Sequence, residues 1–139
     1  MGAAPTTFWD DLAEDLKDPE FLRTYVVESL RIETINRLVN ELDKARDELD
    51  MSKAALARAI SAEPAVVRRL LSAGHRNPTI GTVAEVAAAL GMRVTLEPLP
   101  PEEIAQVTEP LHRGVSDNPA ELAKSMHEKR NSARELCAS

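Results

Sequence analysis

An all-α fold is predicted for this 139-residue chain, and three features of the sequence predict it. Apolar residues recur at three- and four-residue steps over most of its length. Helix-starting residues (Asp18-Pro19, Ser52, Pro64, Thr79) stand just ahead of those runs. Only one stretch, Arg93-Val94-Thr95-Leu96-Glu97, alternates polar and apolar side chains as a strand does.

The elements follow in order. Phe8, Trp9, Leu12 and Leu16 form a first helical stripe. After Asp18-Pro19, Phe21, Leu22, Tyr25, Val26 and Leu30 form a second, and all four aromatic residues lie in this N-terminal extension, residues 1–30. Such residues anchor interfaces, so they are expected to pack on the chain's own first domain helix or a twin, with a foreign protein as the alternative. From Arg31 a strong amphipathic pattern (Ile32, Ile35, Leu38, Val39, Leu42, Ala45, Leu49) runs to Asp50-Met51. Ser52 caps a short helix from Lys53 to Ile60, and Pro64 opens another to Leu71. A polar loop, Ser72 to Pro78, leads to a helix capped by Thr79, with Ile80, Val83, Ala87 and Leu90 inward and Gly91 as its stop. The lone strand at 93–97 needs a partner for its ladder, and a twin across a two-fold axis is the economical one, a toxin strand the alternative. Leu99-Pro100-Pro101 closes the domain at residue 98. The C-terminal tail, 99–139, is polar and expected to be partly disordered or helical, with short helices near 102–107 and 119–136.

Apolar residues at 43% and charged residues at 29% indicate a globular chain. No apolar run reaches the ~20 residues of a membrane span, and the N-terminal stretch does not read as a signal peptide. Cys137 is the single cysteine, so no intrachain disulfide forms. A cytoplasmic location is the expectation. No metal, cofactor or catalytic site is expected: His112 and His127 stand apart, and HExxH, phosphate-loop and paired CxxC patterns are missing. The acidic residues of 10–20 read as a solvated helix face.

Net charge is −6, distributed as −5 over residues 1–30, −2 over 31–50, +4 over 51–80 and −3 over 81–139. One basic window thus sits inside an acidic chain, and phosphate senses the local face because salt screens charges beyond about 8 Å. That window holds two short helices separated by three residues, the helix-turn-helix arrangement. Ala57 is the small residue that the helix crossing demands, Val67 wedges back into the first helix, and Leu56, Ile60 and Leu70 complete a small core. Ser61 falls where the turn needs a left-handed backbone, at a cost of about 1 kcal/mol relative to glycine.

The stretches Met51–Ile60, Val67–Ser72 and Arg76–Val83 resemble the XRE (phage lambda repressor-like) helix-turn-helix family over residues 31–98. The wording Arg69-Leu70-Leu71-Ser72 and Asn77-Pro78-Thr79, with the closing strand, is similar to its HigA-type antitoxin branch. The resemblance implies a homodimeric transcriptional regulator that binds double-stranded operator DNA. It also implies repression of its own operon and a toxin partner. Carried over by position, Ser52 and Lys53 would meet phosphate at a helix N-terminus. Pro64, Ala65, Arg68 and Arg69 would face the major groove, with Arg69 as the guanine reader and Pro64 or Ala65 on a thymine methyl. His75, Arg76 and Asn77 would flank the backbone. The sequence departs from the family's polar recognition-helix start with Glu63-Pro64-Ala65-Val66. The rival reading is a protein-interaction module whose helix pair is structural, favoured by Glu63, Ser61 and the net acidity.

Overall fold

The structure, a computed structural model, describes residues 6–72 and 77–138. Its helices are α1 (Thr6–Asp15), α2 (Pro19–Glu48), α3 (Lys53–Ala59), α4 (Pro64–Leu70), α5 (Ile80–Ala89), α6 (Pro101–Glu103), α7 (Glu109–Arg113) and α8 (Pro119–Ala138). A π-helical turn, Ile104–Thr108, joins α6 to α7. It precedes Pro110, whose missing N–H leaves the Gln106 carbonyl without its α-helical donor, a setting in which wider turns form.

The chain divides into two compact units. One combines residues 1–31 with 97–132, and the other comprises residues 32–96 together with the last residues of the chain. In the first unit Leu16, Leu22 and Val26 pack with Val107, Leu122, Ala123 and Met126. Trp9, Leu12, Tyr25, Leu30 and Leu111 are half-buried around them. The N-terminal aromatics therefore find their partner in the tail. The Trp9 ring meets His127 edge-on at 5.2 Å and Phe8 at 5.0 Å. The tail, expected to be partly disordered or helical, is helical over 101–113 and Pro119–Ala138, where Leu122, Ala123 and Met126 gain an apolar surface supplied from about a hundred residues upstream.

The second unit is built from the C-terminal half of α2 with α3, α4 and α5. Leu42 from α2, Leu56 and Ala57 from α3, Val67 and Leu70 from α4, and Val83, Val86, Ala87 and Leu90 from the α5 segment form one cluster. Three helices of this unit end alike. After α2, α3 and α5 the N–H of the third residue beyond the helix reaches back five residues: Met51 to Arg46, Ala62 to Ala57 and Met92 to Ala87, at 3.2, 2.9 and 2.7 Å. Each ending needs a left-handed residue. Gly91 supplies it at φ 78°, while Asp50 and Ser61 do so at 52° and 56°.

One sequence expectation is corrected, that of Ile80. α2 runs without a break through Leu30-Arg31, where neither Gly nor Pro interrupts it. Ile80 is 77% exposed, not inward. As the first residue of α5 its side chain tilts toward the helix start, past the last core layer. Residues 93–97 form no strand, and residues 91–100 are all exposed. A ladder needs a neighbour, and no second strand stands among the described residues to supply one.

Candidate nucleic-acid interface

The sequence around Ser52 folds locally for plain reasons. The Ser52 hydroxyl oxygen accepts from the Ala55 N–H at 3.0 Å and caps α3. The preceding turn is pinned by Arg46, which donates from Nη1 to the Met51 carbonyl at 2.7 Å and from Nε to Asp43 at 2.9 Å. α3 packs against both α4 and α5. Ala57 is fully buried, and so is Val67. Any larger side chain at Ala57 would push the helices apart. Between them the chain turns at Ser61, and the Ala62 N–H closes the turn on the Ala57 carbonyl.

This packing decides which α4 side chains face away from the core. Val67 and Leu70 are buried; Ala65, Arg68 and Arg69 are exposed; Pro64 is half-buried at the first helical position. Neither Arg68 nor Arg69 is held by an ion pair or side-chain hydrogen bond among the described residues. At this end of α4 the Ser72 hydroxyl donates to the Arg69 backbone carbonyl, at 2.9 Å, which leaves the Arg69 side chain out of the bond. Ser52 is exposed and Lys53 half-buried at the start of α3. Arg58 is a further exposed cation on α3 that the sequence reading did not single out. Its position opposite the buried Leu56 and Ala57 was the available signal. Across residues 51–72 four cations (Lys53, Arg58, Arg68, Arg69) face one carboxylate, Glu63.

Glu63 is the odd member. It occupies the N-cap of α4, is exposed, and makes no side-chain capping bond. Its charge suits the positive end of a helix but opposes an approaching phosphate.

No protein-family model, characterised protein or solved structure matches the chain. The site is therefore read from its own geometry. Thr79 caps α5 as its sequence position predicts, accepting from the Thr82 N–H at 3.1 Å. Asn77 is exposed just ahead of it. His75 and Arg76 lie outside the described residues. Among the described residues no group of three His, Cys, Asp or Glu side chains could hold a metal ion, and no helix is long and apolar enough to cross a membrane.

What the arrangement offers chemically is a short helix with two exposed guanidiniums that are unpaired among the described residues, flanked by a capped helix start bearing an ammonium. Guanidinium forks pair with base edges or phosphate, and an ammonium binds phosphate as a point charge.

Proposed function

We propose that the chain is a sequence-specific DNA-binding transcriptional regulator, with α3 and α4 as a helix-turn-helix and α4 as the helix that enters the major groove. One observation carries this reading: α4 buries Val67 over Ala57 and leaves Arg68 and Arg69 exposed, with no side-chain partner among the described residues. Free arginines on a short helix beside a basic neighbour suit a groove lined by phosphate and guanine. The resemblance of residues 31–98 to the XRE family supports the same assignment. Arg69 is the base reader, Arg68 takes base or phosphate, and Ala65 with Pro64 meets a thymine methyl. Ser52, Lys53 and the 75–77 loop grip the backbone. A dimer would read two half-sites about 34 Å apart or a multiple of that. By resemblance the regulator represses its own operon and serves as the antitoxin of a toxin pair.

The test uses the DNA upstream of its own gene in a gel-shift titration. Arg69→Ala should lose about 1–3 kcal/mol of discrimination between the preferred site and base-substituted versions. Lys53→Ala should weaken all sequences alike. If Arg69→Ala leaves affinity and preference unchanged, the base-reader assignment fails.

The second reading is a protein-interaction module that does not read DNA. Glu63 favours it, because an exposed uncapped carboxylate stands at the very start of α4. Absence of any salt-sensitive DNA binding by the native chain would select it.

A further inference from the structure

The first turn of α4 reads Glu63-Pro64-Ala65-Val66, and of these side chains only that of Glu63 has hydrogen-bonding atoms. Any hydrogen bond that a side chain makes to a base edge from this turn must therefore come from Glu63. A helix start usually takes Ser, Thr, Asp or Asn, whose short side chain turns back onto the helix's own N–H groups. Ser52 and Thr79 do this for α3 and α5. Glu63 holds the same extended backbone, at φ −68° and ψ 142°, yet its carboxylate makes no capping bond. It is exposed, and no ion pair or side-chain hydrogen bond holds it among the described residues. An ionised carboxylate accepts hydrogen bonds and gives none.

The major groove sorts such a group sharply. Guanine presents two acceptors there, and thymine an acceptor beside a methyl. Adenine presents an amino donor, but with the N7 acceptor next to it. Cytosine presents its N4 amino donor with no acceptor of its own alongside. Phosphate lines the groove and repels the charge. Cytosine is thus the base edge that suits a carboxylate best.

We propose that Glu63 is a specificity-determining residue that accepts a hydrogen bond from the N4 amino group of a cytosine, a role that rests on α4 being the helix that enters the major groove. It complements Arg69. The guanidinium gives hydrogen bonds to guanine, and the carboxylate takes one from cytosine in the same half-site. Over any base without a donor the carboxylate would lose water and gain no partner. Much of its effect is therefore rejection of wrong sites, not tighter binding of the right one. The same carboxylate that opposes phosphate acts in this way as a filter.

The test uses the full native chain to select duplexes from a randomised double-stranded pool, followed by fluorescence anisotropy at one fixed salt concentration. The selected sites should share a cytosine that Glu63→Ala no longer requires, while the guanine assigned to Arg69 is kept. Replacing that cytosine should cost the native chain about tenfold in affinity and the Glu63→Ala chain less than about twofold. N4-methylcytosine keeps the base pair but sets a methyl where the donor was. It should cost the native chain about as much as a wrong base and leave Glu63→Ala indifferent. Glu63→Gln should admit adenine at this place, because an amide bridges adenine N6 and N7. Glu63 has no bond to lose, so circular dichroism should show both variants folded as the native chain is. If Glu63→Ala tightens every duplex alike, the carboxylate only repels phosphate; the proposal falls and the regulator reading stands. The proposal falls equally if no cytosine is selected, or if the cytosine requirement survives Glu63→Ala. A native chain that enriches no duplex and shows no salt-sensitive binding overturns the regulator reading and the role of Glu63 together.

Discussion

Ser29 is buried on α2, and its hydroxyl has both of its roles filled. It donates to the Tyr25 carbonyl at 2.8 Å and accepts from Arg130 Nε at 2.7 Å. The Arg130 guanidinium also lies 4.9 Å from the centre of the Tyr25 ring. Burial raises the Tyr25 phenol above its ordinary value of 10.0, and the Arg130 charge opposes that in part. The sign of the linkage follows. The unfolded phenol ionises first as pH rises, so the folded state then holds the proton that the unfolded state has lost. The stability that neutral Tyr25 contributes is complete below pH 10 and lost as pH passes through the raised folded value. Tyr25 is the single tyrosine, so the ultraviolet titration of the phenol reports on it alone. The folded chain should titrate above the chain in urea, and Arg130→Ala should raise the folded midpoint further. Equal midpoints in the folded and urea-unfolded chains would show the phenol to be fully solvated.

Helix ends show best what local sequence dictates at the scale of an element. Ser52, Thr79 and Gly91 were legible as caps because each acts within four residues of its own position. Ser61 was legible for the same reason: a three-residue turn between helices forces φ positive whatever residue stands there. The end of α7 was not legible. Gly114 stops it at φ 74°, but its last carbonyls are satisfied from 88 residues away in sequence. Arg23 donates from Nε to Leu111 at 2.8 Å and from Nη2 to His112 at 2.9 Å. A Cβ on Gly114 would lie 3.0 Å from Pro19 Cβ and 3.1 Å from the Arg23 guanidinium. Gly114→Ala should therefore destabilise the fold by about 2 kcal/mol, part from the left-handed backbone and part from displacing Arg23. In an Arg23→Ala background the guanidinium part disappears, so a double-mutant cycle in urea should show coupling of about 0.5–1 kcal/mol. Strict additivity would mean that Arg23 yields freely and does not cap α7.

Across the whole molecule, the second unit was read from sequence far better than the first. Its core residues, Leu42, Leu56, Ala57, Val67, Leu70 and Val83, lie within about forty residues of one another, and periodicity alone points them inward. The first unit joins Leu22 and Val26 to Leu122 and Met126, a pairing that no local pattern encodes. The exposed arginines of α4 were legible because the helix crossing at Ala57 fixes their direction. The same distribution of charge bears on DNA. The net charge of −6 is a sum over the chain and salt screens charges beyond about 8 Å, while Lys53, Arg58, Arg68 and Arg69 sit on the helix pair itself. If these four neutralise phosphates, one copy releases about four counterions, and log affinity should fall against log salt with a slope of about −3.5. Two copies on one operator should give about −7. The slope on native upstream DNA therefore counts copies independently of any mass measurement, and Arg58→Ala should make it shallower by about one per copy. A slope near zero would place the four cations away from phosphate and leave the helix pair with a structural task alone.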